Sequence, residues 1–556
     1  MGSPLVGRLR AERSVLGPLA LAAFVTYGYF VGPPAWNQNS RFALTRALVE
    51  QRSTIIDPSH ATTGDKSFRD GHFYSDKAPG SSLLAVPTYA AVYGLTRLAG
   101  GAAPSFEVLP ADPGAVAAGR RIDPEDMRPG DRVVYNQSYR VALYLCRLLT
   151  SSLVAAFGLV ALYLLLLRQT AGDRRAAAIV TATYGVATPA LAYSSVLYGH
   201  QLCADFLLIA LALTLLRAPP SARGDPARAP WWLAPSVGAC LGWAVLCEYP
   251  AAIPVLMLVG FAAWTRGLRF AAGVALGGLP WALVLAAYHV AAFGAPLKTG
   301  YDFVYLPEFA EGMRVRYGIH APDPAVLHAI LFSRFRGLLY LSPVLALALW
   351  GLALQLARRL PDALASPGAD ATGYPRRAVA GLALAVACYY LLLNSGYYMW
   401  DGGAALGPRH CIPMLPFLAL GLPPALRGVP RTFWLLAGLS ALQIAVATAA
   451  APEAPRFGDP LYGFAWPRLL GGDVSNYGGA TNLGRLLGLP GPLSLLPLLL
   501  LWVWAGLQLR AATAPQAARE PASSPTVPPP SSPPSSPPSS PTSSPTSSPT
   551  SSPMST

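Results

Sequence analysis

Long apolar runs separated by short arginine-containing loops dominate this chain. A run of about 20 residues is long enough to cross the hydrocarbon core of a bilayer as a helix, and runs that are continuous rather than alternating exclude a transmembrane β-barrel. A further apolar stretch, 81–99, is ambiguous. The pattern predicts an all-α integral membrane protein with about twelve transmembrane helices. These cover residues 15–32, 139–167, 177–198, 201–217, 232–249, 251–265, 268–292, 337–357, 378–395, 411–426, 432–450 and 487–509.

Arginine clusters mark alternate ends of these runs. Cytoplasmic loops of membrane proteins carry an excess of Lys and Arg, so the clusters at 168–175, 217–228, 266–269, 358–377, 427–431 and 510 are predicted to be cytoplasmic. Both termini then lie inside, provided that 81–99 does not cross fully. Four longer and more polar segments are predicted to lie outside, at 33–137, 294–336, 396–410 and 451–486.

Composition agrees with this architecture. Of the 556 residues, 53% are hydrophobic and 12% are charged, about half the charged share of a soluble domain. The net charge of +14 comes from arginines in short loops, so it does not indicate nucleic-acid binding. We expect a polytopic transmembrane domain over residues 1–511, with 33–137 as its first extracytoplasmic loop. Residues 512–556, which are Ser-, Pro- and Thr-rich repeats, are predicted to form a disordered cytoplasmic tail.

Lysine is rare in this chain and its placement is informative. Only Lys66, Lys77 and Lys298 occur among 41 Lys and Arg residues, and all three fall in predicted outer segments. A compact ammonium binds phosphate differently from a guanidinium fork. Each lysine is therefore a candidate for a phosphate contact.

The first outer segment carries an amphipathic helix and a dense group of titratable residues. Residues 37–51 have the spacing of a helix lying along the membrane surface. After it come several acids, including Asp57, and then a turn at 75–80 that leads directly into the apolar stretch. Asp76 and Lys77 lie in that turn, and a charged pair at a membrane boundary is costly to hold without a function.

Two more candidates lie where one predicted span follows another. His200 is at an outer helix junction, and Asp205 falls about one turn into the next span. A carboxylate within the hydrocarbon layer is a functional-site hypothesis by default. We expect Asp205 to face the same cavity as His200.

The later outer segments contribute further polar candidates. Lys298 lies in the second segment, 294–336, and Asp401, Arg409 and His410 lie among aromatic residues and glycines in the third, 396–410. Aromatic faces with polar edges suit sugar rings, and glycines allow a ligand to approach the backbone. No P-loop, dinucleotide-binding glycine motif, zinc pair or GxSxG elbow is evident in the sequence, so ATP-driven transport and soluble-type hydrolysis lose their usual support.

The stretch FYSDKAPG at 73–80 resembles a turn of the GT-C superfamily of polytopic glycosyltransferases. The resemblance is to the branch of bacterial aminoarabinose transferases and protein O-mannosyltransferases, which carry an aromatic-x-x-Lys-Pro-Pro-like turn before a short apolar helix. Tyr74, Lys77 and Pro79 match that turn. The resemblance implies that Lys77 contacts the phosphate of a lipid-linked donor, that 81–99 is a peripheral helix, and that Asp205 corresponds to a second acidic position.

One departure from the family pattern concerns the catalytic base. The family usually has an acidic residue just after the first span, as base or metal ligand, and here that place reads Asn37, Gln38 and Asn39. The base therefore remains open among Asp57, Asp76 and Asp205. Clustered acids could hold Mg²⁺ or Mn²⁺, although no fixed ligand spacing is present and the metal ligands stay unknown.

These observations predict a membrane glycosyltransferase on the extracytoplasmic face of a bacterial inner membrane. It would move a sugar from a polyprenyl-phosphate donor to an envelope lipid, glycan or protein. Asp76 or Asp205 would accept the proton, and cationic side chains would stabilise the leaving phosphate. The predicted substrate-binding residues are Lys77, His200, Lys298, Asp401, Arg409 and His410. The alternatives are a secondary transporter or lipid flippase, for which inverted repeats and midplane charges are expected, and a catalytically inactive membrane scaffold.

Overall fold

The structure, a computed structural model, describes residues 4–123, 126–128, 130–215, 230–357, 374–475 and 478–514. One compact unit spans Met1–Thr513. The predicted tail lies outside the described residues from position 515 onward, and so do most of the predicted cytoplasmic loops at 217–228 and 358–377.

Helices account for most of the described chain. In the described part, the strands form three two-stranded antiparallel ladders, β1 with β6, β2 with β3, and β4 with β5. The α-helices are α1 (Pro4–Ala11), α2 (Arg13–Tyr29), α3 (Trp36–Glu50), α4 (Gly80–Leu98), α5 (Pro113–Ala117), α6 (Gln137–Arg147), α7 (Leu153–Gln169), α8 (Arg174–Ala187), α9 (Ala190–Tyr193), α10 (Gly199–Thr214), α11 (Leu233–Cys247), α12 (Ala252–Arg266), α13 (Leu268–Phe293), α14 (Pro307–Met313), α15 (Pro324–Phe332), α16 (Leu338–Leu341), α17 (Val344–Leu356), α18 (Arg376–Ser395), α19 (Leu415–Ala419), α20 (Leu422–Gly428), α21 (Pro430–Ala450), α22 (Trp466–Leu470), α23 (Leu483–Leu486) and α24 (Leu496–Ala512). The strands are β1 (Phe30–Val31), β2 (Lys66–Arg69), β3 (His72–Ser75), β4 (Phe106–Leu109), β5 (Arg132–Tyr135) and β6 (Thr481–Asn482).

The prediction of a helical integral membrane protein is confirmed, but the count of twelve spans is not. Within the described residues, five helices are long and apolar enough to cross a membrane, and a sixth is obtained if one bent pair is counted. The bent pair joins Arg409–Ala419 to Leu422–Gly428 at 56°, where prolines interrupt helical hydrogen bonding. Other predicted spans fall on shorter apolar helices, α10, α11 and α17. The five are Gln137–Gln169, Leu268–Phe293, Arg376–Ser395, Pro430–Ala450 and Gly491–Ala512.

Helix α13 has an exposed apolar side and a closely packed inner side. Leu268, Leu276 and Leu283 on its outer side are all largely exposed, and a continuous apolar surface of this kind is suited to lipid rather than water. The inner side packs closely on α11, because a side chain at Gly238 would collide with the carbonyl of Val274. Small residues at such crossings allow membrane helices to approach closely.

Helix α3 confirms the predicted helix at 37–51 but corrects its environment. The sequence pattern placed its polar side in water along the membrane surface, whereas the structure buries most of the helix, and Arg41 is only 2% exposed. The guanidinium can be buried because Glu248 lies 3.2 Å away and Ser81 accepts a hydrogen bond from its Nε. A buried charge needs partners of this kind.

The second predicted outer segment, 294–336, is held against the turn that carries Asp76. Ser67 in β2 donates a 2.7 Å hydrogen bond to the carbonyl of Gly300. A Cβ atom at Gly300 would lie 2.5 Å from the Cα atom of Asp76, so only glycine permits this approach. Two segments that are far apart in sequence thus meet at one point.

Arg336 fixes the third predicted outer segment, 396–410, from behind. Its side chain is fully buried and donates to the carbonyls of Asp401 (2.7 Å), Gly403 (2.6 Å), Ala405 (2.7 Å) and Arg456 (2.7 Å). Backbone carbonyls in a loop have no helical partner, and the planar guanidinium supplies donors to several of them at once.

We expect Arg336→Lys to destabilise the protein, because one ammonium cannot reach the same set of carbonyls. The free energy of unfolding should fall by about 2 kcal/mol or more, the scale of lost hydrogen bonds to a charged group. Thermal unfolding of purified protein in detergent measures the change. Arg334→Lys, at an exposed position two residues away, is the control and should leave the melting temperature unchanged. Equal melting temperatures for the two variants would contradict the role given to Arg336.

Candidate active site

A cavity of about 350 Å³ lies among the outer segments and one membrane span. Residues from three of the four predicted outer segments line it, together with residues of α18 and of the bent pair that begins at Arg409. Its charged residues are Arg41, Asp65, Asp76, Lys77, Glu248 and Arg409. Much of the remaining wall is aromatic or apolar, which is the usual composition of a small-molecule site.

Lys77 lies between two carboxylates. Its Nζ atom is 3.2 Å from Oδ2 of Asp65 and 3.1 Å from Oδ2 of Asp76. Asp65 comes from the loop before β2, and the other two residues come from the turn between β3 and α4. The second oxygen of Asp76, Oδ1, is buried and has no hydrogen-bond partner among the described residues. That oxygen is an acceptor available to a ligand.

The two carboxyl groups that share Lys77 differ in their protonation. Burial raises the pKa of Asp76, and the ammonium of Lys77 compensates for this only in part. Burial would also raise the pKa of Asp65, but the charges of Lys77 and Arg409 overcome it and hold that pKa below its usual value. Burial alone would lower the pKa of Lys77, but the two carboxylates raise it above its usual value. Asp65 and Lys77 are therefore charged, and Asp76 takes up a proton more readily than Asp65 does.

A second ion pair lines the same cavity. The Nη2 atom of Arg41 in α3 is 3.2 Å from Oε1 of Glu248, which follows α11. The same carboxylate oxygen is 3.2 Å from Nδ1 of His200 at the beginning of α10. Arg41 also donates to the side-chain oxygen of Asn37 one turn earlier. One carboxylate thus holds both a guanidinium and an imidazole in place.

Several nitrogen atoms in the cavity wall are buried and unpartnered within the described residues. They are Nε of Arg409, Nε2 of His410 and Nε2 of His200. The rings of the two histidines contact each other edge to face, with centroids 5.4 Å apart. Gly402 adopts a positive φ of 71° and packs against the Arg409 side chain, where a Cβ atom would lie 2.8 Å from Cγ. Two of these unpartnered nitrogen atoms belong to the third predicted outer segment, which ends at His410.

The aromatic part of the wall extends into the membrane domain. Tyr389, Tyr390, Leu393 and Asn394 belong to α18, which is one of the candidate spans, and all four line the cavity. The Tyr397 ring follows directly and lies 5.1 Å from the ring of His410. The cavity therefore runs from charged outer loops to apolar residues of a span.

Five residues predicted from the sequence as site residues line this one cavity. They are Asp76, Lys77, His200, Arg409 and His410. The outer segments that carry them were assigned to one face from arginine placement alone. The structure brings those segments together.

Asp205 does not share the cavity with His200, in contrast to the prediction. It is buried on α10 and lies against Gly158 of α7, where a Cβ atom would be only 2.3 Å from Oδ1. Its Oδ1 atom accepts a 2.9 Å hydrogen bond from Gln201, and Oδ2 has no partner among the described residues. The five-residue offset between Asp205 and His200 turns the carboxylate toward α7 instead.

Three other predicted residues also lie away from the cavity wall. Asp57 contacts His72 at 2.7 Å and accepts the backbone N–H of Phe73. The Lys298 side chain is 54% exposed and lies 3.3 Å from Asp302, in the next turn of the chain. The carboxylate of Asp401 lies 3.5 Å from Arg456. Each of these groups is satisfied by a partner outside the cavity.

The roles of Arg41, Glu248 and Asn394 were not predicted from the sequence. Arg41 falls within the predicted surface helix at 37–51, and Glu248 lies at the end of the predicted span 232–249. Their pairing joins positions that are 207 residues apart, which a single sequence does not show. Asn394 could have been found, because it is a polar residue near the end of the apolar run 378–395.

The asparagines at the usual acidic position have two different environments. Asn37 lines the cavity and accepts from Arg41. Asn39 is fully buried, where it donates to the carbonyl of Thr62 and accepts from Tyr139. The first contacts the site, and the second holds the outer loop together.

A metal site built from acids is not seen in the part of the chain that the structure describes. There, no group of three or more His, Cys, Asp or Glu side chains is placed to share a metal ion. In the cavity, the ammonium of Lys77 takes the position between Asp65 and Asp76.

No family model and no curated protein matches the chain. Among solved structures, the chain is similar to ArnT from Cupriavidus metallidurans in the apo state, with a TM-score of 0.43 and 14% identity over 92% of this chain and 75% of that chain.

The two acids beside Lys77 should respond oppositely to neutralisation. Asp65→Asn is expected to lower the free energy of unfolding at pH 7 by about 2 kcal/mol, the scale of a lost charge-assisted hydrogen bond. Its pKa is lowered in the folded protein, so this stabilisation is complete above the unfolded-state pKa of about 4 and is lost only as pH falls through the folded value. Asp76→Asn should leave stability equal or higher, because the raised pKa of Asp76 means that its ionised form is disfavoured in the folded state.

Thermal unfolding of both variants in detergent between pH 5 and 8, about the neutral range in which proteins are usually most stable, measures this contrast. The two variants serve as each other's control, since each removes one carboxylate charge from the same ammonium. A larger loss of stability for Asp76→Asn than for Asp65→Asn would contradict the assignment of the charges.

Proposed function

We propose that this protein is a membrane glycosyltransferase that moves a sugar from a polyprenyl-phosphate donor to an acceptor hydroxyl. The observation that carries the proposal is the pairing, in one cavity, of cationic side chains with an apolar wall from a membrane span. A lipid phosphate ester needs both features, a site for its anionic head and a path for its chain. The low-identity structural likeness is not needed for this argument.

The phosphate group would lie against Lys77 and Arg409, with His410 beside them. Nε of Arg409 and Nε2 of His410 are buried without partners in the described residues, so an anion would supply the missing acceptors. As the bond between the anomeric carbon and the phosphate oxygen breaks, its electron pair stays on the leaving polyprenyl phosphate. Fixed cations stabilise that developing charge.

Asp76 is the proposed general base. Its free Oδ1 atom faces no other partner within the described residues, and its raised pKa makes it a better proton acceptor than an ordinary carboxylate. The acceptor oxygen forms the new bond to the anomeric carbon while its proton passes to Oδ1. Asp65, which stays ionised, keeps Lys77 charged through the step.

The polyprenyl chain would leave the cavity along α18. Tyr389 and Leu393 of that span line the cavity, and an isoprenoid is a suitable partner for such a surface. The arginine clusters at the opposite helix ends favour an extracytoplasmic site. We therefore infer a role in the envelope of a bacterium, at the inner membrane, with a lipid, glycan or protein as acceptor.

Turnover of radiolabelled polyprenyl-phosphate sugars by purified protein in lipid tests the proposal. Lys77→Ala should lower the rate by about 100-fold, because the leaving phosphate loses a fixed positive charge. Lys298→Ala is the matched control, since this lysine is exposed and outside the cavity, and it should retain the parent rate.

Two results would contradict the proposal. If the parent neither binds nor turns over any donor of a panel of sugars, the glycosyltransferase proposal fails. A transporter, a flippase or an inactive scaffold would then account for the same architecture. Equal rates for Lys77→Ala and the parent would remove Lys77 from the phosphate site.

The effect of a metal chelator on turnover is a separate prediction. The ammonium of Lys77 already occupies the position between the two acids where a divalent cation would have to bind. We expect turnover in excess EDTA to stay within about twofold of the untreated rate, since the fixed cations supply the electrostatic stabilisation. Loss of turnover on chelation, restored by Mg²⁺ or Mn²⁺, would show that a metal takes part.

A further inference from the structure

Polar atoms that the proposed transfer step does not use line the middle of the cavity. Asn394 of α18 is 0% exposed. In the described part of the chain, neither its side-chain oxygen nor its nitrogen has a full hydrogen bond. The amide lies beside the thiol of Cys411, which is a weak hydrogen-bonding group. A buried amide with both ends unsatisfied is rare in a native protein and calls for an explanation.

His200 supplies a second unsatisfied group in the same cavity. It is 5% exposed, and its Nε2 atom has no partner among the described residues. Cys203, one turn further along α10, lies 3.8 Å from the hydroxyl of Tyr390, which is one turn before Asn394 on α18. Helices α10 and α18 both pack on the segment that begins at Arg409, so His200 and Asn394 are carried by two helices that share this neighbour.

Aromatic rings line the same cavity. The backbone N–H of Tyr397 donates to the backbone carbonyl of Asn394 at 3.2 Å, which holds Tyr397 at the end of α18. The Tyr397 ring contacts His410 with centroids 5.1 Å apart, and His410 in turn contacts His200. Asn394, Tyr397, His410 and His200 all line this one cavity.

The chemistry of these atoms selects the ligand. An amide offers a donor and an acceptor, so a phosphate oxygen, which only accepts, would leave the amide oxygen unpaired. An ammonium group, which only donates, would leave the amide nitrogen unpaired. A hydroxyl group both donates and accepts, so neighbouring hydroxyls of one sugar can satisfy both ends of the amide and the imidazole.

The surrounding charges also disfavour a cationic sugar. Glu248 is already shared by Arg41 and His200. Lys77 lies within 3.2 Å of both Asp65 and Asp76. Each of these carboxylates already contacts a cationic or imidazole group. The oxygen of theirs that is buried and unpartnered in the described residues, Oδ1 of Asp76, is the proposed base rather than a partner for a sugar ammonium.

We propose that Asn394 and His200 form the subsite for the transferred sugar, and that this sugar is a neutral, polyhydroxylated one rather than an amino sugar. The proposal rests on the proposed function. His410 lies at the boundary between this subsite and the phosphate site, and the Tyr397 ring supplies an aromatic face for the sugar. Nothing in the transfer step itself requires Asn394, so the two proposals can be tested separately.

Binding to the full-length protein in lipid nanodiscs tests the subsite. The probes are polyprenyl phosphate, the same lipid carrying a neutral hexose, and the same lipid carrying an amino sugar. We expect the parent to bind the hexose lipid about tenfold more tightly than polyprenyl phosphate, the scale of one or two net hydrogen bonds. Asn394→Leu should remove that difference and leave the affinity for polyprenyl phosphate unchanged.

Thermal unfolding of the same variant excludes a merely structural role. Replacing an unsatisfied buried amide by an apolar group of similar volume is neutral or stabilising, so Asn394→Leu should unfold at the same temperature as the parent or higher. His200→Gln, which retains hydrogen-bonding groups, is the second variant and should keep part of the hexose preference. A lower unfolding temperature together with equal losses for both lipids would overturn the subsite.

The remaining outcomes separate this proposal from the function on which it rests. If the parent binds the amino-sugar lipid as tightly as the hexose lipid, the choice of a neutral sugar is wrong while the transferase proposal stands. If the parent binds the hexose lipid no better than polyprenyl phosphate, the subsite is wrong and the phosphate site stands. If no lipid phosphate binds, both proposals fail.

Discussion

The ammonium of Lys77 between Asp65 and Asp76 is the interaction on which the outer half of this protein depends. Removing charges from water at a membrane boundary is costly, and the cost is offset only when each charge has a partner at short range. Lys77 meets this condition for two acids that come from different parts of the first outer segment. The turn that holds it leads directly into α4, so the charge cluster and the membrane domain share one short piece of chain.

The other outer segments are held around this cluster by their own backbone. Gly300 approaches the Asp76 turn more closely than any residue with a side chain could. Arg336 binds carbonyls of the 401–405 loop and of Arg456 from behind, which positions the segment that ends in Arg409. Because Arg336 supplies the donors for these loop carbonyls, no donor that faces the cavity is used for them. The donors that face the cavity therefore stay unpaired.

Local features of the fold could be predicted from the sequence, and long-range features could not. Apolar runs and arginine placement gave the helical membrane class and grouped the outer segments, and a rare lysine beside an acid pointed to Lys77. The ion pair of Arg41 with Glu248 joins distant helices, so it becomes visible only in three dimensions. Asp205 faces α7 because Gly158 leaves room for it there. The count of twelve spans is not confirmed, because apolar composition alone does not show where a helix ends or bends.

Helix α18 is a candidate membrane span and also forms part of the cavity wall. This has a consequence for the kinetics of ligand binding. A ligand that reaches its site beside a membrane span arrives by diffusion in two dimensions, and its effective concentration is its mole fraction among the lipids. On the proposed function, a saturation curve for the donor would therefore depend on how much bulk lipid dilutes it. The acceptor would follow the same surface dilution only if it, too, were anchored in the bilayer.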